Sequence, residues 1–95
     1  VIEPTVGRIV WFYKRVVDGA HEGPFAAIVA KVWSDRLVNL SVFSGTGVHY
    51  SDCNIALVQP GDDIPDSDYC AWMPHQIGLS MQPAEQEDQR RFAPA

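Results

Sequence analysis

Residues 37–43, LVNLSVF, alternate between two faces, with Val38, Leu40 and Val42 on one and Asn39 and Ser41 on the other. A period of two places one face against a core and leaves the other outside, the pattern of a half-buried β-strand rather than a helix. Once one strand is set, its neighbours must pair with it. The flanking sequence supplies short β-branched or aromatic runs separated by turn residues. Residues 7–15, GRIVWFYKR, read as a first strand, and residues 17–23, VDGAHEG, as a turn or short loop. Pro24 opens a second strand over 24–33, the position in a strand where a missing N–H costs least. Residues 34–36 form a tight connection to the alternating strand, and SGTG at 44–47 supplies a hairpin turn. VHYS at 48–51 and NIALVQ at 54–59 read as the fourth and fifth strands, ended by the proline- and aspartate-rich stretch 60–68.

Five short strands joined by tight turns, nearly without helix, predict an all-β fold. The sheet must curl on itself to bury its apolar face, so the expected form is a small five-stranded antiparallel barrel or strongly curled sheet, Sm- or Tudor-like. With 95 residues only one core is within reach, assigned to residues 1–81, with residues 82–95 expected as a flexible tail. No apolar run approaches the roughly 18 residues of a membrane span, so no membrane association is expected.

Cys53 and Cys70 lack the CxxC spacing of redox and zinc sites, and two free, half-buried thiols are the expected state. No nucleophile elbow, Walker-type glycine loop or HExxH motif is present. His49 and Cys53 would stand roughly 13 Å apart along a strand, too far to act as base and nucleophile. The chain is therefore expected not to be an enzyme and to need no cofactor. Asp62, Asp63, Asp66 and Asp68 concentrate oxygen ligands, but not at the EF-hand spacing, and a solvated turn without metal is the simpler reading.

Charge is uneven. Residues 1–51 carry five basic and four acidic side chains, a balance of +1, whereas residues 52–95 carry two basic and eight acidic, a balance of −6. The first half is the part that can hold an anion, while the net charge of −5 disfavours long nucleic acid. The candidate ligand-binding residues follow from pairing cations with aromatic rings: Arg8, Trp11, Tyr13, Lys14 and Arg15 in the first strand, with Trp33 and Arg36 through the adjacent hairpin. Ile9, Trp11 and Tyr13 share one face, opposite Arg8, Val10 and Phe12, so Trp11 and Tyr13 either fill the core or form an external platform; core filling is the plainer reading. In DYCAWMPHQIG, residues 68–78, Trp72 is expected to plug a barrel end just before the break at Pro74. His75 would stay nearer solvent, and both would lie where a pocket mouth would form.

Three stretches together, PTVGRIVWFY, PFAAIVAKVWSDRLVNLSVF and YCAWMPHQ, resemble a group of short uncharacterised proteins encoded by tailed bacteriophages and prophages. The resemblance covers about residues 4–77 and implies a phage origin and expression in the cytoplasm of the bacterial host. The resemblance carries no activity of its own; a small phage β-protein without catalytic motifs is expected to be a non-enzymatic binding module acting in host takeover or anti-defence, taking either a host protein or a small anionic nucleotide signal. A minor virion or assembly protein is the alternative, and a small hydrolase a distant one. Exposed sheet edges would favour a homodimer or higher oligomer.

Overall fold

A computed structural model describes residues 1–80. Its elements are β1 (Ile9–Val17), β2 (Ala20–Ser34), β3 (Leu37–Phe43), β4 (His49–Val58), β5 (Tyr69–Ala71) and a short helix, α1 (Pro74–Ser80). The strands close into one ring in that order, so the fold is all-β with a single interior. β1 to β4 form an antiparallel meander, and β5 fits between β1 and β4, antiparallel to the first and parallel to the second. The parallel pair departs from the wholly antiparallel expectation. It arises because residues 59–68 carry the chain back along the barrel before β5 begins, so β5 runs in the direction of β4.

Several boundaries differ from the sequence reading. Residues 17–23 are not a loop: β1 runs to Val17, the turn is Asp18–Gly19, and β2 starts at Ala20. Pro24 therefore lies inside β2, at a bulge where the ladder passes from Phe12↔Phe25 to Lys14↔Glu22. Residues 48–51 and 54–59 are not two strands. They belong to one strand, β4, which absorbs an extra residue at Cys53–Asn54, where Asn54 takes a left-handed φ of 56° and the pairing steps from Leu40↔Asp52 to Val38↔Ile55. The fifth strand is instead the YCA of the aromatic stretch. The proposed tail, residues 82–95, lies outside the described residues.

The interior is filled from all five strands by alternation: Val10 and Phe12 from β1, Ala27 and Val29 from β2, Val38, Leu40 and Val42 from β3, Ile55 and Leu57 from β4, and Cys70 from β5, with Trp72 closing one end. Ile9, Trp11 and Tyr13 point outward, which overturns the core-filling reading of Trp11 and Tyr13. Phe12 is the aromatic that β1 turns inward, fully buried, while Trp11 and Tyr13 stay partly exposed on the opposite face. Trp11 has an alanine on each side, Ala26 and Ala71, as cross-strand partners.

The two ends of the barrel are built differently. At the lower end the N-terminal segment, the β2–β3 turn, the start of the 59–68 segment and Trp72 converge on Gln59, which is 2% exposed. Its Oε1 accepts from Ile2 N at 2.9 Å and Trp72 Nε1 at 3.1 Å, and its Nε2 donates to Ile2 O at 2.9 Å and Asp35 O at 2.7 Å. A buried amide with all four hydrogen-bonding positions filled locks four chain segments together. α1 is fixed beside this end: Pro74 stands at its first position, Gln76 Oε1 accepts from Met73 N at 2.8 Å, and Gln76 Nε2 donates to Ile9 O at 2.9 Å. The other, upper end carries the β1–β2 and β3–β4 turns.

Candidate functional site

The structure disperses the cation–aromatic set of the first strand. Arg8 lies at the lower end with its guanidinium 5.1 Å from the centroid of the Trp72 ring, an attractive cation–π contact over the plug. Trp72 itself is 3% exposed, in accord with its assignment as a plug. His75 is exposed near the start of α1. Tyr13 and Arg15 face outward, whereas alternation turns Lys14 to the inner side at the upper mouth. Trp33 is exposed on the outer wall of β2, capped by Lys31 with its ammonium 3.9 Å from the ring centroid, and donates from Nε1 to Asn39 Oδ1 at 3.0 Å. Asn39 Oδ1 also accepts from Asn54 N at 2.9 Å, so Trp33 is held by the residue that steadies the β4 bulge.

Two of the proposed cations are engaged inside the molecule. Arg15 donates from Nε to Asp66 at 2.9 Å and pairs with Asp18 through Nη2, while its backbone N donates to Asp68 Oδ1 at 2.8 Å. Asp66 also accepts from Gly19 N at 3.0 Å, so one carboxylate ties the 59–68 segment to the β1–β2 turn. Arg36 holds Asp62 through Nε at 2.9 Å, and Asp62 accepts from Gln59 N at 3.0 Å. The ion pair with Arg36 holds the Asp62 carboxyl below the ordinary carboxylate range, and Arg15 does the same for Asp66, each helped by a backbone N–H. The acidic stretch is therefore more than a solvated turn, since three of its four aspartates fasten it to the barrel. Among the described residues no group of three His, Cys, Asp or Glu side chains is placed to hold a metal.

The outer aromatics of the upper half form a second fixed cluster. Tyr13 and Tyr69 stack with centroids 4.8 Å apart, and His21 meets Tyr69 edge-on at 4.9 Å while its Nε2 lies 2.9 Å from Ser67 O. Gly23 makes this possible. A Cβ there would stand 2.7 Å from Phe12 O and 3.2 Å from the Tyr13 ring, and its φ of 144° is itself costly for other residues. Burial raises the Tyr69 hydroxyl above its ordinary value, with Tyr13 adding to the shift.

The remaining feature is the end of the ring above β5, which none of the sequence patterns located. Above the Ala27↔Val42 pair β2 and β3 no longer pair, and above Ala56↔Tyr69 β4 and β5 no longer pair. Because β5 has three residues, the lane it occupies between β1 and β4 continues upward without a strand in it. The segment preceding β5 leaves the lane outward, toward Gly19 and His21. On one bank are exposed Val16 and Val17; on the other are Val48, 67% exposed, and Tyr50, 40% exposed. Asp52, the cross-strand partner of the core residue Leu40, faces the inner side of the lane. Burial raises its carboxyl above the ordinary range, and the nearby charge of Asp68 adds to this against the opposing effect of Lys14 and the Cys53 N–H. Cys53 is exposed on the same bank and Cys70 is buried, both free, so the thiols are not both half-buried as expected.

Compared with known proteins, the chain matches no family model, no curated protein and no solved structure. Its function is accordingly argued from the arrangement of its own residues.

Proposed function

We propose that this chain is a non-enzymatic binding module of phage origin whose partner is a host protein, and that it binds through the upper end of its barrel. The observation that carries the reading is the exposure of four apolar side chains, Val16 and Val17 at the end of β1 and Val48 and Tyr50 at the start of β4, beyond the point where β5 pairs with either strand. Apolar side chains gathered at one exposed place are the usual mark of a protein interface. A nucleotide sponge is less well supported, because it needs several free cations beside one aromatic platform. Here Arg15 and Arg36 are paired with aspartates, Arg8 covers Trp72 at the far end, and Lys31 covers Trp33 on the outer wall. The resemblance to phage proteins supports the host as the source of the partner and its cytoplasm as the place of action.

The test is affinity capture from host extract with the parent chain, with Val48→Asp plus Val17→Asp, and with Arg8→Ala, followed by reconstitution with the purified partner. The expected result is a stoichiometric complex that the double bank variant loses and Arg8→Ala keeps. Saturable calorimetric binding of a cyclic dinucleotide or an ADP-ribose derivative, abolished by Arg8→Ala and untouched by the bank variant, would contradict it.

A further inference from the structure

We infer that the lane above β5 is a receptor for one extended segment of the partner, which adds as a strand to the free edge of β4 and places a lysine or arginine against Asp52. The inference rests on the protein-binding reading and specifies how that binding is made. The first argument is topology. The gap between β1 and β4 is the one that β5 fills lower down, and above Tyr69 no strand pairs in it. The second is the state of the two banks. On β1 the Arg15 N–H is already taken by the Asp68 carboxylate, whereas residues 49–53 of β4 have a strand neighbour only on the β3 side. Strand addition satisfies such an edge with backbone hydrogen bonds and leaves alternate side chains to set specificity.

The third argument is charge. A carboxylate facing the interior of a sheet is unfavourable unless paired, and among the described residues Asp52 makes no ion pair. The charged groups around it are Lys14 from β1 and Asp68 from the segment before β5; His49 lies on its own strand, and its β3 neighbour is the apolar Leu40. Asp52 and Asp68 stand there against Lys14, and Arg15, the other cation near Asp68, is already paired with Asp66 and Asp18, so the lane keeps a negative charge, the complement of a basic side chain entering on the inserted strand. Val16, Val17, Val48 and Tyr50 then receive the apolar side chains that alternate with it. The edge has its own protection against unwanted pairing, since an inward charge and a bulge both discourage a purely apolar strand. Those same features select a strand that brings the opposite charge.

Two capped heptapeptides test this on the full chain, one alternating valine with lysine and the other valine with glutamate, read by amide hydrogen exchange and by fluorescence anisotropy of labelled peptide. The lysine peptide should slow exchange at residues 49–53 and bind at least tenfold tighter than the glutamate peptide. Asp52→Lys should reverse that preference. Asp52→Asn, which keeps the shape of the side chain, should abolish it, so the test survives if the lysine variant fails to fold. Absence of protection at residues 49–53 with either peptide, or the same preference in all three proteins, would overturn the inference. That outcome, with host-protein capture still lost in the bank variant, would remove strand addition and leave the protein-binding reading; loss of capture specificity with intact peptide selection would do the reverse.

Discussion

At the scale of single residues, the fold depends most on a polar side chain. Gln59 is buried among apolar neighbours and serves Ile2, Asp35 and Trp72 at once. Leucine has nearly its size but would leave the Trp72 N–H without a partner in a buried site and the backbone groups of Ile2 and Asp35 unpaired at its part-buried margin. Gln59→Leu should therefore lower stability by about 3 kcal/mol, measured by urea denaturation; a change below about 1 kcal/mol would mean that this end opens to solvent in the native state. The two thiols give a second residue-scale prediction. Burial pushes Cys70 up to about 12, whereas Cys53 is exposed, so a thiol reagent at pH 8 should modify one cysteine in the native protein and the second only after unfolding. The linkage has a definite sign. A thiol whose folded value lies above its unfolded value binds more protons when folded, so stability should fall as pH rises above about 9. A flat alkaline limb in both the parent and Cys70→Ala would contradict this.

The elements differ in how much of them a sequence pattern can carry. β3 was legible because both of its long edges are paired and one face is buried, so alternation is uninterrupted over seven residues. The inward face of β1 was legible from parity, but which set of residues occupied it was not. Val10 and Phe12 win over Trp11 and Tyr13 because ring closure limits the interior volume, a tertiary constraint with no local signal. β4 reads as two strands because Cys53–Asn54 breaks the period, although a bulge continues the strand. α1 had a local signal that was missed: a proline at the first helical position and a glutamine two residues later returning to the residue before it form the reciprocal half of a capping box. The aspartates of residues 60–68 read as a solvated turn because their partners, Arg15, Gly19 and Arg36, are 26 to 53 residues away in sequence and are reached only through the fold. These clasps make a prediction for the segment. Carboxyls held low by ion pairing contribute stability above the unfolded carboxylate value, about 4, and lose it as pH falls through the lower folded values of Asp62 and Asp66. Asp52 works in the opposite direction, since its raised value favours the folded state on mild acidification. Melting temperature should thus fall steeply below about pH 4, and Asp62→Asn plus Asp66→Asn should flatten that fall. An unchanged acid limb in the double variant would show that the clasps do not hold the segment in solution.

For the whole molecule, closure of the sheet decides what surfaces remain for partners. A five-stranded open sheet would expose two full edges and favour self-pairing, the basis for expecting a homodimer. The ring leaves instead a short free edge on β4, guarded by Asp52 and the Asn54 bulge, and an outer wall on which Ile9, Ile28 and Trp11 form an uncharged strip. Self-association has that edge and that wall to use, and light scattering at 10.5 kDa or twice that mass separates the two states. No helix among the described residues is long and apolar enough to cross a membrane. The candidate ligand residues were legible as types, aromatic rings and cations, but not as a site, because ring closure sends neighbours in one strand to opposite faces and opposite ends. The site proposed in their place is a gap, and a gap between strands exists only after the strands have closed. Its most direct test is native-state amide exchange of the chain, free and bound to the purified host partner. The account predicts slow exchange throughout β3 in both states and rapid exchange, in the free chain, at those of residues 49–53 whose N–H points away from β3, slowed at least a hundredfold in the complex. Residues 49–53 that exchange at the same rate free and bound, with new protection appearing around Arg36 or Trp33 instead, would contradict it.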